Sequence, residues 1–317
     1  MNQRIARGQI IAVSLSLAAA CAAAAAPQFQ KTDRGAVVET DTLIAEVRDG
    51  VVIRLHNKLT REEYLDPTAD LRAVIPHLPS GLGIQAGDEA LASAEKLYHW
   101  PWWEHPNSLY LPNQHYPDDR SRYEFAASGD RACRLTYKGL TDGKRRYDDE
   151  EYALSVEVED KTGDLLLTPE GRAPRPGVYA ANVSLAPLAS AVTAEAPICD
   201  GLRLTRQNTG QVLWVNRWCS FWEHAFLALN GWKRGAIGIW TQDAQLRYYK
   251  DMFYLNNDQG LSFSFSIMNV PPFEDLKAAK SLPWRVQAFD KSWAQAVERY
   301  RSWRDANVRF APRPDYV

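Results

Sequence analysis

The densest group of residues with chemical potential is His99-Trp100-Pro101-Trp102-Trp103-Glu104-His105, followed by Asn107, Asn113 and His115. Flat indole rings stack on the C–H faces of a pyranose. Glu104, His105, Asn107, Asn113 and His115 can hydrogen-bond its hydroxyls. The plainer alternative is a loop that folds over a sheet and buries its own tryptophans. A metal site from His99, His105 and His115 would need the loop to gather all three, and no regular element imposes that. The sequence therefore calls for no metal and no other cofactor.

A second cluster is Trp218-Cys219-Ser220-Phe221-Trp222-Glu223-His224. On an extended backbone Trp218, Ser220, Trp222 and His224 share one face, with Cys219, Phe221 and Glu223 on the other. Glu223 and His224 would then not act on one ligand together. Chemistry on a sugar ring needs an acid and a base on opposite sides, commonly His and Glu. His105, His115, Glu223 and His224 are the candidates, and no pair has a marking spacing. Asp243 and Lys250 read as a turn or an internal ion pair, with contact to sugar hydroxyls as the alternative. The run Asp148-Asp149-Glu150-Glu151, after Lys144-Arg145-Arg146, reads as a solvated hairpin tip without the pattern of a calcium loop. Gly-x-Ser-x-Gly and Gly-Lys-Ser/Thr are both absent.

The elements that must carry these residues are mostly strands. Leu261 to Ile267 alternates apolar residues with serine, as a half-buried antiparallel strand does. Leu154, Val156 and Val158 alternate with Ser155, Glu157 and Glu159. Residues 43–47 and 51–55 flank Asp49-Gly50, a tight hairpin turn. Further strands are expected around 122–127, 132–137, 165–167, 178–186, 201–206, 211–217, 235–241 and 284–289. Residues 98–120 read as a long structured loop, and 270–283 as a loop with one short helical turn. So many strands with so little helix between them predict an all-β, large antiparallel sandwich. The exception lies at 291–306, where Trp293, Val297, Tyr300 and Trp303 form one stripe of an amphipathic helix. Ser292 and Gln295 have capping-box spacing.

The N-terminus reads as an export signal over 1–26: Arg4 and Arg7, an apolar stretch from Ile10 to Leu17, then small residues to Ala26. The stretch is too short and alanine-rich for a transmembrane anchor. Cys21 after Leu17-Ala-Ala-Ala is a loose lipoprotein box, so the expectation is a periplasmic or extracellular protein, with lipidation as a variant. Loss of the signal moves the formal charge from -2 to about -4. Without a long basic run, nucleic acid is not an expected partner. Cys133, Cys199 and Cys219 allow one disulfide, with the pairing open.

Three segments resemble a known family. Residues 42–65, with Asn57-Lys58-Leu59-Thr60 and Glu63-Tyr64-Leu65 after the Asp-Gly hairpin, resemble the opening of the galactose-mutarotase-like β-sandwich found before many glycoside hydrolase barrels. Phe226 to Asp243, with Lys250 beyond it, resembles a hairpin of that domain. Trp293, Tyr300-Arg301 and Trp303 are similar to the helix that leads into the barrel in hydrolases related to endo-α-N-acetylgalactosaminidases. The resemblance implies a sandwich over 27–290, a helix over 291–306 and a tail over 307–317. The barrel that carries the catalytic carboxylates in such enzymes does not appear in these 317 residues. The implied role is a non-catalytic glycan-binding or barrel-supporting domain, with a separate catalytic barrel as a candidate partner. The alternative is a stand-alone epimerase, lyase or hydrolase using His and Glu. The candidate ligand residues are Trp100, Trp102, Trp103, Glu104, His105, Asn107, Asn113, His115, Trp222 and Asp243.

Overall fold

The computed structural model describes residues 26–84, 114–198, 200–209, 213–217, 222–245, 250–269 and 275–309. The first strands are β1 (Gln28–Lys31), β2 (Gly35–Glu39), β3 (Leu43–Arg48), β4 (Val51–Asn57), β5 (Glu62–Glu63), β6 (Gly81–Ile84) and β7 (Gln114–His115). Then come β8 (Arg122–Ala127), β9 (Ala132–Thr141), β10 (Arg146–Val158), β11 (Leu165–Arg172), β12 (Val178–Leu185), β13 (Thr193–Ala196) and β14 (Leu202–Leu204). The last are β15 (Leu213–Arg217), β16 (Phe226–Asn230), β17 (Ala236–Thr241), β18 (Lys250–Asn257), β19 (Gly260–Met268), β20 (Ala278–Lys280) and β21 (Trp284–Phe289). A single α-helix among the described residues, α1 (Trp293–Asn307), follows.

These strands form two sheets. The first runs β1-β2-β3-β4-β12-β19-β18-β15, with β5 on β4, β6 on β12 and β7 on β6. The second runs β14-β13-β16-β17-β21-β11-β10-β9-β8, with β20 on β11. Pairing is antiparallel except between β4 and β12. The main core lies between the sheets: Phe263, Phe265 and Ile267 of β19 meet Leu154, Val156 and Trp284 of the second sheet within one apolar cluster. The Asp49-Gly50 turn has positive φ at both residues (50° and 77°), as a two-residue hairpin with matching twist requires.

Four local expectations need correction. The serine face of β19 is not solvated: Ser262, Ser264 and Ser266 are at most 1% exposed. The segment 71–80 contributes to that cover. Pro79 O accepts from Ser184 Oγ and Ser264 Oγ, and Val74 and Leu78 pack on Phe253 and Leu255. The expected helical turn within 274–280 gives way to the edge strand β20, whose pairing with Glu170–Arg172 supplies the backbone bonds. The Ser292 hydroxyl makes no cap bond, and Gln295 Oε1 instead accepts from the Lys291 amide. The helix buries Ala296 and Tyr300 against Phe226, Trp240 and Phe289, while Trp293 stays 37% exposed. Its buried line is therefore turned from the expected stripe.

A polar latch holds the first sheet to the second. Asn57 Nδ2 donates to Phe289 O (2.8 Å), and Asn57 Oδ1 accepts from the Leu59 amide. The Glu62 carboxylate, fully buried, accepts from the amides of Lys233 (2.5 Å) and Gly235 (2.9 Å). Asn57 of the Asn-Lys-x-Thr turn thus ties it to the end of β21, and Glu62, two residues past the turn, satisfies amides of the β16–β17 loop. Removing the acceptor strands the buried amide of Gly235 and the half-buried one of Lys233. Glu62→Ala should cost roughly 3 kcal/mol in urea unfolding; a change under about 0.5 kcal/mol would discard the latch as a stabilising contact.

The β10–β11 turn is tied to β21 in the same way. Arg285 binds Glu159 through two bonds (2.6 and 2.9 Å) and also pairs with the buried Asp164. The guanidinium fork of Arg285, helped by the Thr162 hydroxyl, outweighs burial and holds the Glu159 carboxyl at about 2, against an ordinary 4.5. A folded-state pKa below the unfolded one gives stability that is complete above about 4.5 and drains as pH falls toward 2. Stability curves of the parent and Glu159→Gln should thus differ at neutral pH and converge in strong acid. A gap that stays constant with pH would contradict this assignment.

Candidate functional site

The short strand β7 places His115. Its register on β6, Leu82 opposite His115 and Gly83 opposite Gln114, is close because Gly81 has φ +67° and no side chain. A Cβ at Gly81 would stand 2.4 Å from His115 O. On the other flank Tyr116 and Thr141 exchange backbone bonds of 2.9 and 3.0 Å, tying β7 to the tip of the β9–β10 hairpin.

That hairpin supplies the partner. Between Tyr147 and Glu151 the register slips, so that three residues of β10 face one of β9. Asp148 and Asp149 are extruded to solvent, while Glu150 keeps the inward parity of Tyr152 and Leu154 and is 2% exposed. The acidic run is therefore not a uniformly solvated tip, which corrects the sequence reading. Glu150 Oε2 accepts from His115 Nδ1 in a buried contact. Arg175 reaches in from the β11–β12 loop, with Nη2 3.4 Å from Glu150 Oε1 and 3.3 Å from His115 Nε2. A guanidinium carries donors only, so the 3.3 Å contact makes Nε2 the acceptor and assigns the ring proton to Nδ1.

Tyr147 closes the cluster. Its ring stacks on the His115 imidazole (4.0 Å between centroids, 20° between planes), and the Arg175 guanidinium lies 4.8 Å from its centroid. The Tyr147 hydroxyl donates to Asp142 Oδ2 (2.9 Å), and burial followed by that carboxylate raises the phenol above its ordinary pKa. Burial raises Asp142, but the amides of Arg145 and Lys144 and the Tyr147 hydroxyl together hold its carboxyl below the usual range. The arrangement is a histidine oriented by a carboxylate, with its free lone pair facing a cation. Released from Arg175, Nε2 has the geometry of a proton acceptor.

A separate polar row, begun by the neighbouring Gln114, runs across the outer face of the first sheet. Gln114 Nε2 donates to Tyr179 Oη (2.9 Å), and Gln114 Oε1 accepts from Asn182 Nδ2 (3.0 Å). Asn182 lies opposite Ser266, which lies opposite Asp251, so three strands align three buried polar residues. Ser262 Oγ and Ser266 Oγ are buried without a hydrogen-bond partner.

The other sequence candidates do not converge on this place. Trp222 is fully buried, stacked 6.3 Å from Trp284 in the core, with its indole N–H donating to Phe226 O. This leaves no ring face for a saccharide, a correction to its assignment as a ligand residue. Asp243 is 3% exposed and pairs with the equally buried Lys250 at 2.7 Å, so the internal ion pair is the structure observed and the ligand role is not. Glu223 is exposed and accepts from the Asp200 amide, while His224 edges onto Tyr300 of the helix, its pKa lowered chiefly by burial. Trp100, Trp102, Trp103, Glu104, His105, Asn107 and Asn113 lie outside the described residues, as do residues 1–25 of the export signal expected over 1–26. Of the cysteines, Cys133 is buried and unpaired, its thiol pushed by burial up to about 12; Cys199 and Cys219 lie outside the described residues. Among the described residues no cluster of three His, Cys, Asp or Glu could hold a metal, and no helix is long and apolar enough to cross a membrane.

Glu150, Arg175 and Tyr147 were not selected from the sequence. Strand parity could have found Glu150, since Tyr152, Leu154, Val156 and Val158 are all inward. Arg175 stands between Pro174 and Pro176, a stiff presentation for a long cationic side chain.

No protein-family profile matches the chain, and no curated protein sequence does. Solved structures do. The galactosidase domain of the α-galactosidase–sucrose kinase AgaSK superposes with a TM-score of 0.51 at 10% identity, over 86% of this chain and 43% of that one. The α-N-acetylgalactosaminidase NagBb from Bifidobacterium bifidum, in its GalNAc complex, gives 0.47 at 10% identity, over 88% and 39%. A galactose mutarotase-like protein from Lactobacillus casei ATCC 334 gives 0.43 at 10% identity, over 80% of this chain and 100% of that one. The chain spans less than half the length of the two glycosidase structures. At such identity the likeness is one of fold: the chain is a two-sheet, mutarotase-like β-sandwich.

Proposed function

We propose that the protein is an exported carbohydrate-binding sandwich whose glycan site is centred on Tyr147, Arg175, His115 and Glu150. The observation that carries this reading is the group of fixed donors and acceptors formed by the part-exposed Arg175 and Tyr147 with His115 and Glu150 behind them. A pyranose asks for such an alternation of donors and acceptors, with an aromatic ring beside it. The carbohydrate names of the structural neighbours agree with it. The candidate residues 99–113 join the chain directly before Gln114, so the aromatic segment enters beside this cluster in sequence.

A second reading, support of a catalytic barrel, is favoured by one end of the sandwich. Trp232 (60% exposed), Leu59 (47%) and Trp293 (37%) stand on three segments that the Asn57 and Glu62 bonds hold together. Large apolar groups gathered at one end suit a protein contact.

Calorimetric titration against a panel of neutral and acidic oligosaccharides should find a binder. Tyr147→Ala should then weaken it about 3- to 10-fold through lost stacking; an unaltered affinity would remove the cluster from the site. For the support reading, a barrel protein encoded beside this one should co-sediment with it and be released by Trp232→Glu. Indifference to that substitution would end the reading.

A further inference from the structure

Two turns at one end of the sandwich are held firmly, yet carry their largest side chains into solvent. The Lys233 and Gly235 amides bind Glu62, and Lys233 Nζ donates to Arg61 O (3.2 Å), so residues 58–61 and the β16–β17 turn are tied together. Trp232 is 60% exposed there and Leu59 47%. Arg61 sits at φ +58°, a left-handed conformation that glycine adopts at lower cost. Arg61, Lys233 and Arg234 are exposed, and none makes an ion pair among the described residues. The nearest acids are engaged: Glu62 by the two amides, Glu63 by Arg54 and His56, and Glu39 by Lys58. Asp41, in the turn beside Lys58, and Asp290, followed by the exposed Lys291, are open to solvent. Four exposed cations thus stand against two exposed acids at this end, in a chain whose formal charge is -2.

We propose that this end docks on an anionic lipid bilayer, with Trp232 and Leu59 entering the headgroup layer and Arg61, Lys233 and Arg234 meeting lipid phosphates. The apolar residues alone would suit a protein face equally, and the support reading uses them so. The cations separate the two occupants. Protein interfaces are depleted in lysine, whereas surfaces that lie on membranes combine Trp and Leu with Lys and Arg. Indole is also a ring that settles at the membrane–water boundary. Lys233 Nζ lies 4.6 Å from the centre of the Trp232 ring, so the ring meets a phosphate layer with a cation beside it. The contact is shallow, made by side chains on turns, and no helix among the described residues is long and apolar enough to cross a membrane. Such binding is reversible and follows surface charge, at about fivefold in affinity per cation. It requires no ligand at the Tyr147 cluster, and the glycan reading does not depend on it.

The test is flotation of the full chain with vesicles of phosphatidylcholine alone, and of phosphatidylcholine mixed equally with phosphatidylglycerol, at low and raised salt. The parent should bind the mixed vesicles at least about 10-fold more tightly than the neutral ones, and leave them as salt rises. Lys233→Glu combined with Arg234→Glu should weaken that binding at least about 25-fold. Trp232→Ser should weaken it about 3- to 10-fold and leave its salt response in place. All three side chains are exposed, so the variants keep the fold, which their circular dichroism checks. Lys161→Glu combined with Lys277→Glu makes the same change of net charge at exposed positions elsewhere and should leave binding unaltered. Equal binding to both vesicles, binding to neither, or an equal loss in that control overturns the proposal. Binding that survives the turn substitutions, as contact through the apolar stretch 10–17 would, also overturns it. Retention of a barrel protein through Trp232 without vesicle binding assigns this end to a protein and overturns it as well. None of these results touches the glycan reading, which the Tyr147→Ala titration tests.

Discussion

A carboxylate as buried as Glu150 must be paired, because an unpaired ion inside a protein costs on the order of several kcal/mol. Much of the local architecture answers to that one requirement. The β10 bulge keeps Glu150 pointing inward while its acidic neighbours leave for water. The two-residue strand β7 brings a histidine donor to one carboxylate oxygen, and the proline-flanked loop brings a guanidinium to the other. Neither partner alone completes the site. His115 must carry its proton on Nδ1 to serve Glu150, and that leaves Nε2 as an acceptor which only Arg175 reaches in this structure. A structural need for charge pairing and a chemically oriented imidazole are thus one arrangement.

The sandwich transmits this arrangement to its outer face. The Tyr152 hydroxyl, two residues from Glu150, crosses the core to donate to Asn182 O at 2.7 Å. Asn182 sits on β12, which pairs with β19 on one side and with β6 and β4 on the other. Its side chain meets Gln114, the neighbour of His115. Because adjacent strand residues point to opposite faces, Gln114 serves the outer row while His115 serves the space between the sheets. The two polar groups are therefore positioned by one backbone segment, and a shift of β7 would disturb both.

Most of the strands were legible in the sequence, because alternation and turn chemistry are local. The Asp49-Gly50 hairpin, β21 over 284–289 and the apolar face of β19 follow from residue types within a few positions. What failed depends on distant chain. The serines of β19 read as solvent-facing because nothing nearby says that Pro79 and its neighbours cover them. Trp222 read as a platform because its burial against Trp284 joins residues far apart. In the sequence His115 stands with Glu104, His105, Asn107 and Asn113 as a hydrogen-bonding residue and with Glu223 and His224 as an acid–base candidate, whereas its observed partners come from β10 and the β11–β12 loop. Glu150 is hidden by its neighbours, since four acids in a row suggest solvent, although its parity with Tyr152 and Leu154 points inward. The Asn57 and Glu62 latch was visible only as a resemblance, since its acceptors and donors are backbone groups more than 170 residues away.

The two outer faces of the sandwich are built differently. The second sheet gives part of its outer face to the helix, through Phe226, Ala228, Trp240 and Phe289 against Ala296 and Tyr300. Such a face is dry and apolar, and it offers nothing to a polyhydroxylated molecule. The first sheet lines its outer face with Asn182, Ser184, Asp251, Ser264 and Ser266 instead. Burying those groups is unfavourable unless each finds a partner, yet Ser262 and Ser266 hydroxyls find none. An apolar residue of similar size would fit a strand of this kind at lower cost, as Phe263, Phe265 and Ile267 show on the opposite side. The hydroxyls of Ser262 and Ser266 are thus held at a cost in stability on a covered outer face, while the His115–Glu150 pair lies between the sheets.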